Sequence, residues 1–279
     1  MGGAVDVTVP ACWGEWPDGS ADSQFLTVTD VRMAGVMDRC AVFHEMHVEG
    51  FFVMPNPWDV GSAVRLQKMG FPALATTSSG FAWSIGKEDQ QVTRDELLGH
   101  VEALVAATEV PLNVDAERCY ADDPAGVAHT VSLIAATGAA GCSIEDYDPA
   151  AGSIEPLDVA TERVAAAASA KAGMVLTARA EQHLYGPADL DDTIRRLCAY
   201  RDAGADVLYA PGLVDLDQIE AVVRAVERPI NVLKLPAVPN LAALAGVGVR
   251  RVSTGGGLAR TAYSAMRHAA EALLEELPG

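Results

Sequence analysis

From residue 50 onward the chain repeats one pattern. A short apolar run ends in polar residues, and an amphipathic stretch follows. The runs fall at 51–54, 73–76, 112–114, 141–144, 174–177, 207–210, 230–233 and 251–253. Turn chemistry bounds each of them, as in "NPWDVGS", "EDYDP" and "TGGG". The stretches between them predict helices. "TRDELLGHVEALVAAT" opens on Thr93 with Glu96 three residues later, the signature of a capping box. "ADLDDTIRRLCAYRDAGA" runs into a glycine suited to closing a helix. "LARTAYSAMRHAAEALLEEL" carries an apolar stripe at helical spacing. Eight mostly apolar strands alternating with helices predict a parallel sheet covered on both faces. Eight such units in 279 residues predict a closed (β/α)8 TIM-type barrel, a fold of about 250 residues. A doubly wound open sheet is the alternative. It usually carries fewer strands, and no glycine fingerprint follows the first run.

Residues 1–28 break the pattern. "ACWGEWPDGSADSQ" is polar, contains Gly and Pro, and carries Trp13 and Trp16. It predicts an N-terminal extension packed on the surface or on a neighbouring subunit. Residues 29–48 predict a helix that plugs the barrel bottom. No linker splits the remainder of the chain, so 29–279 is expected to form a single barrel domain.

Composition narrows the function. Half the residues are hydrophobic and only 6% aromatic, which suits close-packed helices over an all-β sandwich. Acids outnumber Lys plus Arg 38 to 20, for a net charge of −18. Such a chain repels phosphate backbones, which argues against a nucleic-acid partner. An anionic small substrate then needs local cations or a metal. The five cysteines are scattered with no CxxC pair, the pattern of free thiols in a reducing cytosol. No apolar run approaches the roughly 20 residues of a membrane span. The N-terminus lacks the order of a signal peptide. A cytoplasmic protein with no membrane partner is expected.

In a barrel, reactive groups sit at the C-terminal ends of the strands and in the loops after them. The stretch "PLNVDAERCYADDP" is informative there. Leu112 and Val114 suit a buried strand, yet Asp115 and Glu117 follow at i and i+2, positions that share a face in a strand. Further strand ends add Glu145 and Asp146, then Arg179, Glu181 and His183, then Asn231 and Lys234; a loop adds Asp89. Carboxylates converging on one mouth cannot all stay ionised without a cation. Magnesium, or manganese in its place, answers that need through oxygen ligands, with one or two carboxylates and several waters. Asp89, Asp115, Glu117 and Glu145 are the candidate metal shell. Sparse His and Cys argue against zinc. Arg179 is the candidate clamp for a substrate carboxylate or phosphonate. The Ser79–Gly80 turn and Asn231 are candidate donors to the other end of the substrate. This set suits a 2-oxo acid whose bond breaks as an enolate forms. Asp59 reads as a helix N-cap, His44 and His47 as structural, and His183 as solvated. Cys119 reads either as packing or as a catalytic thiol beside the acidic strand end.

"PNPWDVGSA", "ATTSSGFAWSIG", "VDAE", "GCSIEDYDP", "TARAE", "GADVLYAPGL", "PINVLKLP" and "RVSTGGGLAR" stand in the order seen in the isocitrate lyase/phosphoenolpyruvate mutase superfamily, which the chain resembles over about residues 45–275. The resemblance implies a magnesium-dependent barrel whose last helix is swapped between subunits of a homodimer or homotetramer. It implies small anionic 2-oxo or 2-hydroxy carboxylate substrates and an enolpyruvate-like intermediate. By the same resemblance Ser79 and Gly80 form the substrate-oxygen turn, and Asp89, Asp115, Glu117 and Glu145 serve the metal. Arg179 binds the substrate carboxylate and Asn231 faces its far end. Arg179, Glu117 and Cys119 are the catalytic candidates.

Three departures bear on the activity. Isocitrate and methylisocitrate lyases carry a Lys-Cys-Gly-His-type loop after the fourth strand; here the place reads "YDPAAGSIEPLD". The Lys- and Asn-containing loop of phosphoenolpyruvate mutases is also absent. A Gly-Tyr-Gly turn after the third strand is replaced by "RCYAD", with Arg118, Cys119 and Ala121 in place of flexible residues. The sequence therefore looks closest to a broad branch of the superfamily that lacks the classical lyase Cys loop, and a C–C lyase is the expected activity. A phosphonomutase or P–C bond hydrolase is the alternative, and a catalytically altered barrel the second.

Overall fold

The computed structural model describes residues 38–277. Each predicted apolar run becomes a short strand: β1 (Phe52–Met54), β2 (Leu74–Ala75), β3 (Leu112–Asp115), β4 (Gly141–Glu145), β7 (Val175–Arg179), β8 (Val207–Tyr209), β9 (Ile230–Leu233) and β10 (Arg251–Ser253). A two-stranded hairpin, β5 (Tyr147–Asp148) and β6 (Ser153–Ile154), follows β4. The eight long-range strands pair in parallel in the order β1-β10-β9-β8-β7-β4-β3-β2. Where β1 meets β2 there is no ladder. One backbone bond bridges them, from Ala75 N–H to Pro55 O at 3.1 Å. This is the expected TIM-type barrel, with helical crossovers covering its outside.

Two apolar layers hold it. The outer one packs the helices on the strands, through residues such as Val101, Leu104, Val131, Ile134 and Leu197. The inner one lies inside the ring and contains Phe52, Met54, Val175 and Val207. Its lower end is closed by α1 (Arg39–Val48), which contributes Val42, Phe43 and Met46. Phe43 stands edge-on to Phe52, with ring centroids 6.3 Å apart. Gly141 is required beneath it, because a Cβ there would come within 2.8 Å of Phe43. The plug helix is thus where the sequence placed it, although its described part starts at Arg39. The N-terminal extension and positions 29–37 lie outside the described residues.

Local signals set the helix starts. Asp59 caps α2 (Val60–Lys68) through Ser62, as expected of an N-cap. Thr93 and Glu96 form the predicted box at the start of α4 (Arg94–Ala107), and Lys87 sits 2.6 Å from Glu96. "SSGFAWS", read from sequence as a turn, is the short helix α3 (Ser78–Ser84), capped by Thr77. Helices α5 (Pro124–Ala136), α6 (Leu157–Ala170), α7 (Gln182–Tyr185), α8 (Leu190–Asp202), α9 (Leu216–Val226) and α10 (Leu241–Gly246) complete the crossovers. The last helix, α11 (Gly257–Glu275), differs from them: Ala259 is its buried residue, while Met266, Leu273 and Leu274 are 60%, 65% and 67% exposed. Among the described residues no helix is long and apolar enough to cross a membrane.

Burial makes the fold acid-sensitive at histidine. His100 on α4 stacks flat on Phe81, 3.8 Å between ring centroids, and its Nε2 has no partner. Burial lowers its pKa to about 4 from the usual 6.5. The folded state therefore holds His100 neutral while the unfolded chain takes a proton. Stability is present above about pH 6.5 and is lost as pH falls toward 4. His100→Phe keeps the stack and is expected to flatten the acid limb of a plot of Tm against pH. An unchanged acid limb in the variant would show that other groups set it.

Candidate active site

The C-terminal strand ends open into a cavity of about 860 Å³. Its acidic side is organised by one guanidinium. Arg179, at the end of β7, donates from Nη1 to Asp115 Oδ1 at 2.6 Å and from Nε to Glu181 Oε1 at 2.7 Å. Its Nη2 lies 3.2 Å from Glu145 Oε2. The guanidinium also stands over the Tyr209 ring, 5.4 Å from its centroid. Strand register produces this convergence. Glu145 and Arg179 are Cα partners across β4 and β7, and Arg179 and Tyr209 across β7 and β8. The expected substrate clamp is therefore already bound to three carboxylates, and any substrate contact uses what these leave free.

Asp115 faces the cavity. Its Oδ2 accepts the Ser78 N–H at 3.2 Å, and its own N–H donates to Thr76 Oγ1 at 2.8 Å. Asp89 also lines the cavity. Burial, then the Asp115 charge, raises its pKa. Glu117 and Glu145 lie behind the wall, 5% and 4% exposed. Glu145 is pushed up chiefly by burial and pulled back by Arg179; its Oε1 accepts from Gln90 Nε2 at 3.2 Å. Glu117 is raised to about 8 by burial and by the charges of Asp115 and Asp89. Its buried Oε1 has no hydrogen-bond partner among the described residues. Glu181, raised to about 7 chiefly by burial, was visible at a strand end but not singled out.

Asp115 and Glu117 do not share a strand face as expected. β3 ends at Asp115, and the chain turns at once. Glu117, Cys119 and Tyr120 have φ of +49°, +63° and +51°. Left-handed backbone costs a residue with a Cβ about 1–2 kcal/mol. Arg163 offsets this by donating to Arg118 O at 2.6 Å and Ala121 O at 2.9 Å. Glu155 ties the two arginines together, 2.6 Å from Arg118 and 3.2 Å from Arg163. Of the three replaced glycine-type positions, Cys119 is the one in left-handed backbone. Its thiol is fully buried in the outer core, and desolvation raises its pKa well above the usual value. A catalytic thiol at the mouth is thus corrected to a packing residue.

The remaining candidates divide. Ser79 lines the cavity. Gly80 is buried behind it, and its N–H is 3.3 Å from Thr77 Oγ1 as part of the helix cap. A Cβ at Gly80 would sit 2.6 Å from Thr77 Cγ2, so glycine there serves packing. Asn231 lines the cavity but is 2% exposed, accepting from Arg251 Nε and donating to Ser253 Oγ, both at 2.9 Å. Arg251 was missed. A charged residue inside an apolar strand was its available signal.

Among the described residues no three of His, Cys, Asp and Glu come together as a ready metal cage. The four-carboxylate shell is therefore not assembled as such. The donor chemistry still fits a hard divalent ion. The candidate ligands are all carboxylate oxygens, Glu117 Oε1 has no hydrogen-bond partner among the described residues, and burial, then mutual repulsion, raises Asp89 and Glu117. Magnesium needs only one or two of them directly.

Residues 43–274 match the family model described as phosphoenolpyruvate phosphomutase. A crystal structure from Burkholderia cenocepacia J2315, provisionally called a lyase/mutase, is 46% identical with a TM-score of 0.82, covering 86% of this chain and 92% of that one. An uncharacterized protein of Mycobacterium tuberculosis strain H37Rv is 35% identical over 85% of this chain and 91% of its own length. An oxaloacetate decarboxylase of Bradyrhizobium diazoefficiens is 30% identical over 80% of this chain and 81% of its own length.

Glu117 gives this site a pH signature. With its pKa raised to about 8, the folded state keeps a proton that the unfolded chain releases near 4.5. Stability from this group is present below about 4.5 and is lost as pH rises through 8. In EDTA, Glu117→Gln is expected to stabilise the protein by about 1–3 kcal/mol at pH 8 and by little at pH 5. Urea unfolding at the two values checks it, and equal effects at both would show that Glu117 is ionised in the fold.

Proposed function

The chain belongs to the phosphoenolpyruvate phosphomutase family, and with it to the isocitrate lyase/phosphoenolpyruvate mutase superfamily; from that membership we propose that it is a magnesium-dependent lyase cleaving a C–C bond of a small 2-oxo or 2-hydroxy carboxylate. The observation that carries this is the Arg179 cluster with Asp115, Glu145 and Glu181 at the mouth of an 860 Å³ cavity. The oxaloacetate decarboxylase relative supports a 2-oxo acid.

Asp115 and Asp89 would hold magnesium, or manganese, from the cavity wall, with Glu117 and Glu145 behind them. When bound, such an ion stabilises negative charge developing on the oxygens of a 2-oxo acid. Arg179, fixed by its three carboxylates, lends positive charge to the substrate carboxylate without having to reorganise. Ser79 and Asn231 orient the substrate from opposite walls. Glu117, its pKa raised by burial and by the charges of Asp115 and Asp89, can hold a proton within the acid cluster when no cation is bound. Cys119 has no part in the chemistry.

Two features favour this reading over isocitrate or methylisocitrate cleavage. The place of the thiol-bearing loop is the β5–β6 hairpin, which contains no Cys or His. It is also pinned, through Arg118 to Glu155 at 2.6 Å and to Asp148 at 4.0 Å. A phosphonomutase or P–C bond hydrolase is the second reading, supported by the family model's description. For assembly, the exposed apolar residues of α11 support a homodimer or homotetramer in which this helix packs on a neighbour. The expected location is the cytoplasm.

The test is product release (pyruvate, oxalate or glyoxylate) from a panel of 2-oxo, 2-hydroxy and phosphono acids. Magnesium-dependent turnover is expected, abolished by EDTA and lowered about 10²–10³-fold in kcat/KM by Asp115→Ala. A folded protein silent across the carboxylate panel would sink the lyase reading, and turnover of a phosphonate alone would replace it with the second. For the assembly, light scattering should give a dimer or larger. Leu273→Glu with Leu274→Glu should lower that mass, and a wild-type monomer would refute the packing of α11.

A further inference from the structure

The cavity is electrically two-sided. Its β3–β7 side carries the carboxylates and Arg179. Its β9–β10 side carries Lys234, Arg251 and Arg260. Of the four lining cations Arg179 is bound to three carboxylates, while among the described residues the other three have no ion-pair partner. In a chain where acids outnumber Lys plus Arg 38 to 20, three unpaired cations along one wall call for an explanation.

Arg251 forms the floor of this wall. It is 1% exposed, and the hydrogen-bond partners of its side chain among the described residues are neutral. It donates to Asn231 Oδ1 and Thr177 Oγ1, both at 2.9 Å, and its Nη1 is 3.2 Å from His47 Nε2. Burying a cation without a counter-charge is costly. Lys234 stands above it, just past the end of β9. Its N–H donates to Ser253 O at 2.8 Å, which anchors the residue to the strand carrying Arg251. Its ammonium donates to Val238 O at 2.8 Å and Leu235 O at 3.3 Å. Two carbonyls fix the charge in place without neutralising it, and an ammonium has a third N–H to give. Arg260 lies over the Trp83 ring, 5.5 Å from its centroid, and lines the same side.

We propose that Lys234 is the specificity-determining residue for a second oxyanion, a carboxylate or phosphonate, at the substrate end remote from Asp115. Arg251 holds Asn231 and Ser253 in register beneath it and keeps the wall positive. This rests on the reading of the cavity as the substrate site, and adds which residue of this chain selects the anionic group at the far end. A compound with one carboxylate and an apolar tail would place that tail against an ammonium and a guanidinium.

The test is calorimetric binding to the full chain in magnesium, with succinate, 3-phosphonopropionate and butyrate as inert probes. Both anions differ from butyrate in the added terminal group, which carries one negative charge in succinate and about one to two in 3-phosphonopropionate near neutral pH. A hydrogen bond to a charged group corresponds to roughly a 10- to 100-fold preference for a dianion over butyrate. Lys234→Gln should erase the preference and Lys234→Arg should restore most of it. The tighter of the two dianions identifies carboxylate or phosphonate. Equal affinities for all three probes in the wild type would overturn the proposal even if the Gln variant did not fold. So would an undiminished preference in folded Lys234→Gln, since a lysine that merely ties down its own turn would leave it unchanged. Turnover is not read, so silence in the substrate panel would remove the lyase reading while leaving a dianion preference standing.

Discussion

Arg179 touches Asp115, Glu145 and Glu181, each from a different nitrogen, at 2.6–3.2 Å. Asp115 comes from β3, Glu145 from β4, and Glu181 follows β7. Without that guanidinium, carboxylates from adjacent strands would repel at the open end of the barrel. With it, they are held close enough that burial and mutual charge raise Glu145, Glu181 and Glu117. The cluster is thus a place where protons and the proposed divalent cation would compete for the same oxygens. That competition would tie the stability of the fold to the chemistry of the site.

The rest of the barrel serves to keep this end rigid. The plug helix and the inner layer of Phe43, Phe52, Met54 and Val175 fill the ring from below. Above them Arg251, Asn231, Thr177 and His47 form a polar layer. The His47 pKa, lowered to about 3 chiefly by burial, keeps it neutral, so it can accept from Arg251 instead of repelling it. The left-handed turn at 117–120 is held by Arg163, Glu155 and Arg118, which also pin the β5–β6 hairpin. One ion-pair network therefore joins the places of two features expected from the family resemblance: the glycine turn and the loop after the fourth strand. The consequence is a mouth shaped by fixed elements.

Family membership and site geometry meet at this point. Relatives include a protein provisionally called a lyase/mutase and an oxaloacetate decarboxylase. In this chain Asp89 and Asp115 line the acidic side of the cavity. Lys234 belongs to the opposite side, which decides what the remainder of a substrate must look like.

Much of this was fixed locally and could be read from the chain. The eight apolar runs became the eight strands because each alternates with a helix whose ends carry their own caps, such as Asp59 and Thr93. Strand ends in a barrel face one opening, so Asp115, Glu145, Arg179 and Asn231 could be assigned to it in advance. What depended on neighbours far apart in sequence could not be read. The periodicity of a strand said that Glu117 follows Asp115 to the same face, but a left-handed turn held by Arg163, 45 positions beyond Arg118, rotates it behind the wall. Nothing local shows that Cys119 is buried or that Gly80 spends its N–H on a cap. Nor does it show that Arg179 is shared by three acids while Arg251 has none among the described residues. Which charges meet depends on closing the ring, and only the tertiary structure brings β3, β7 and β10 around one cavity.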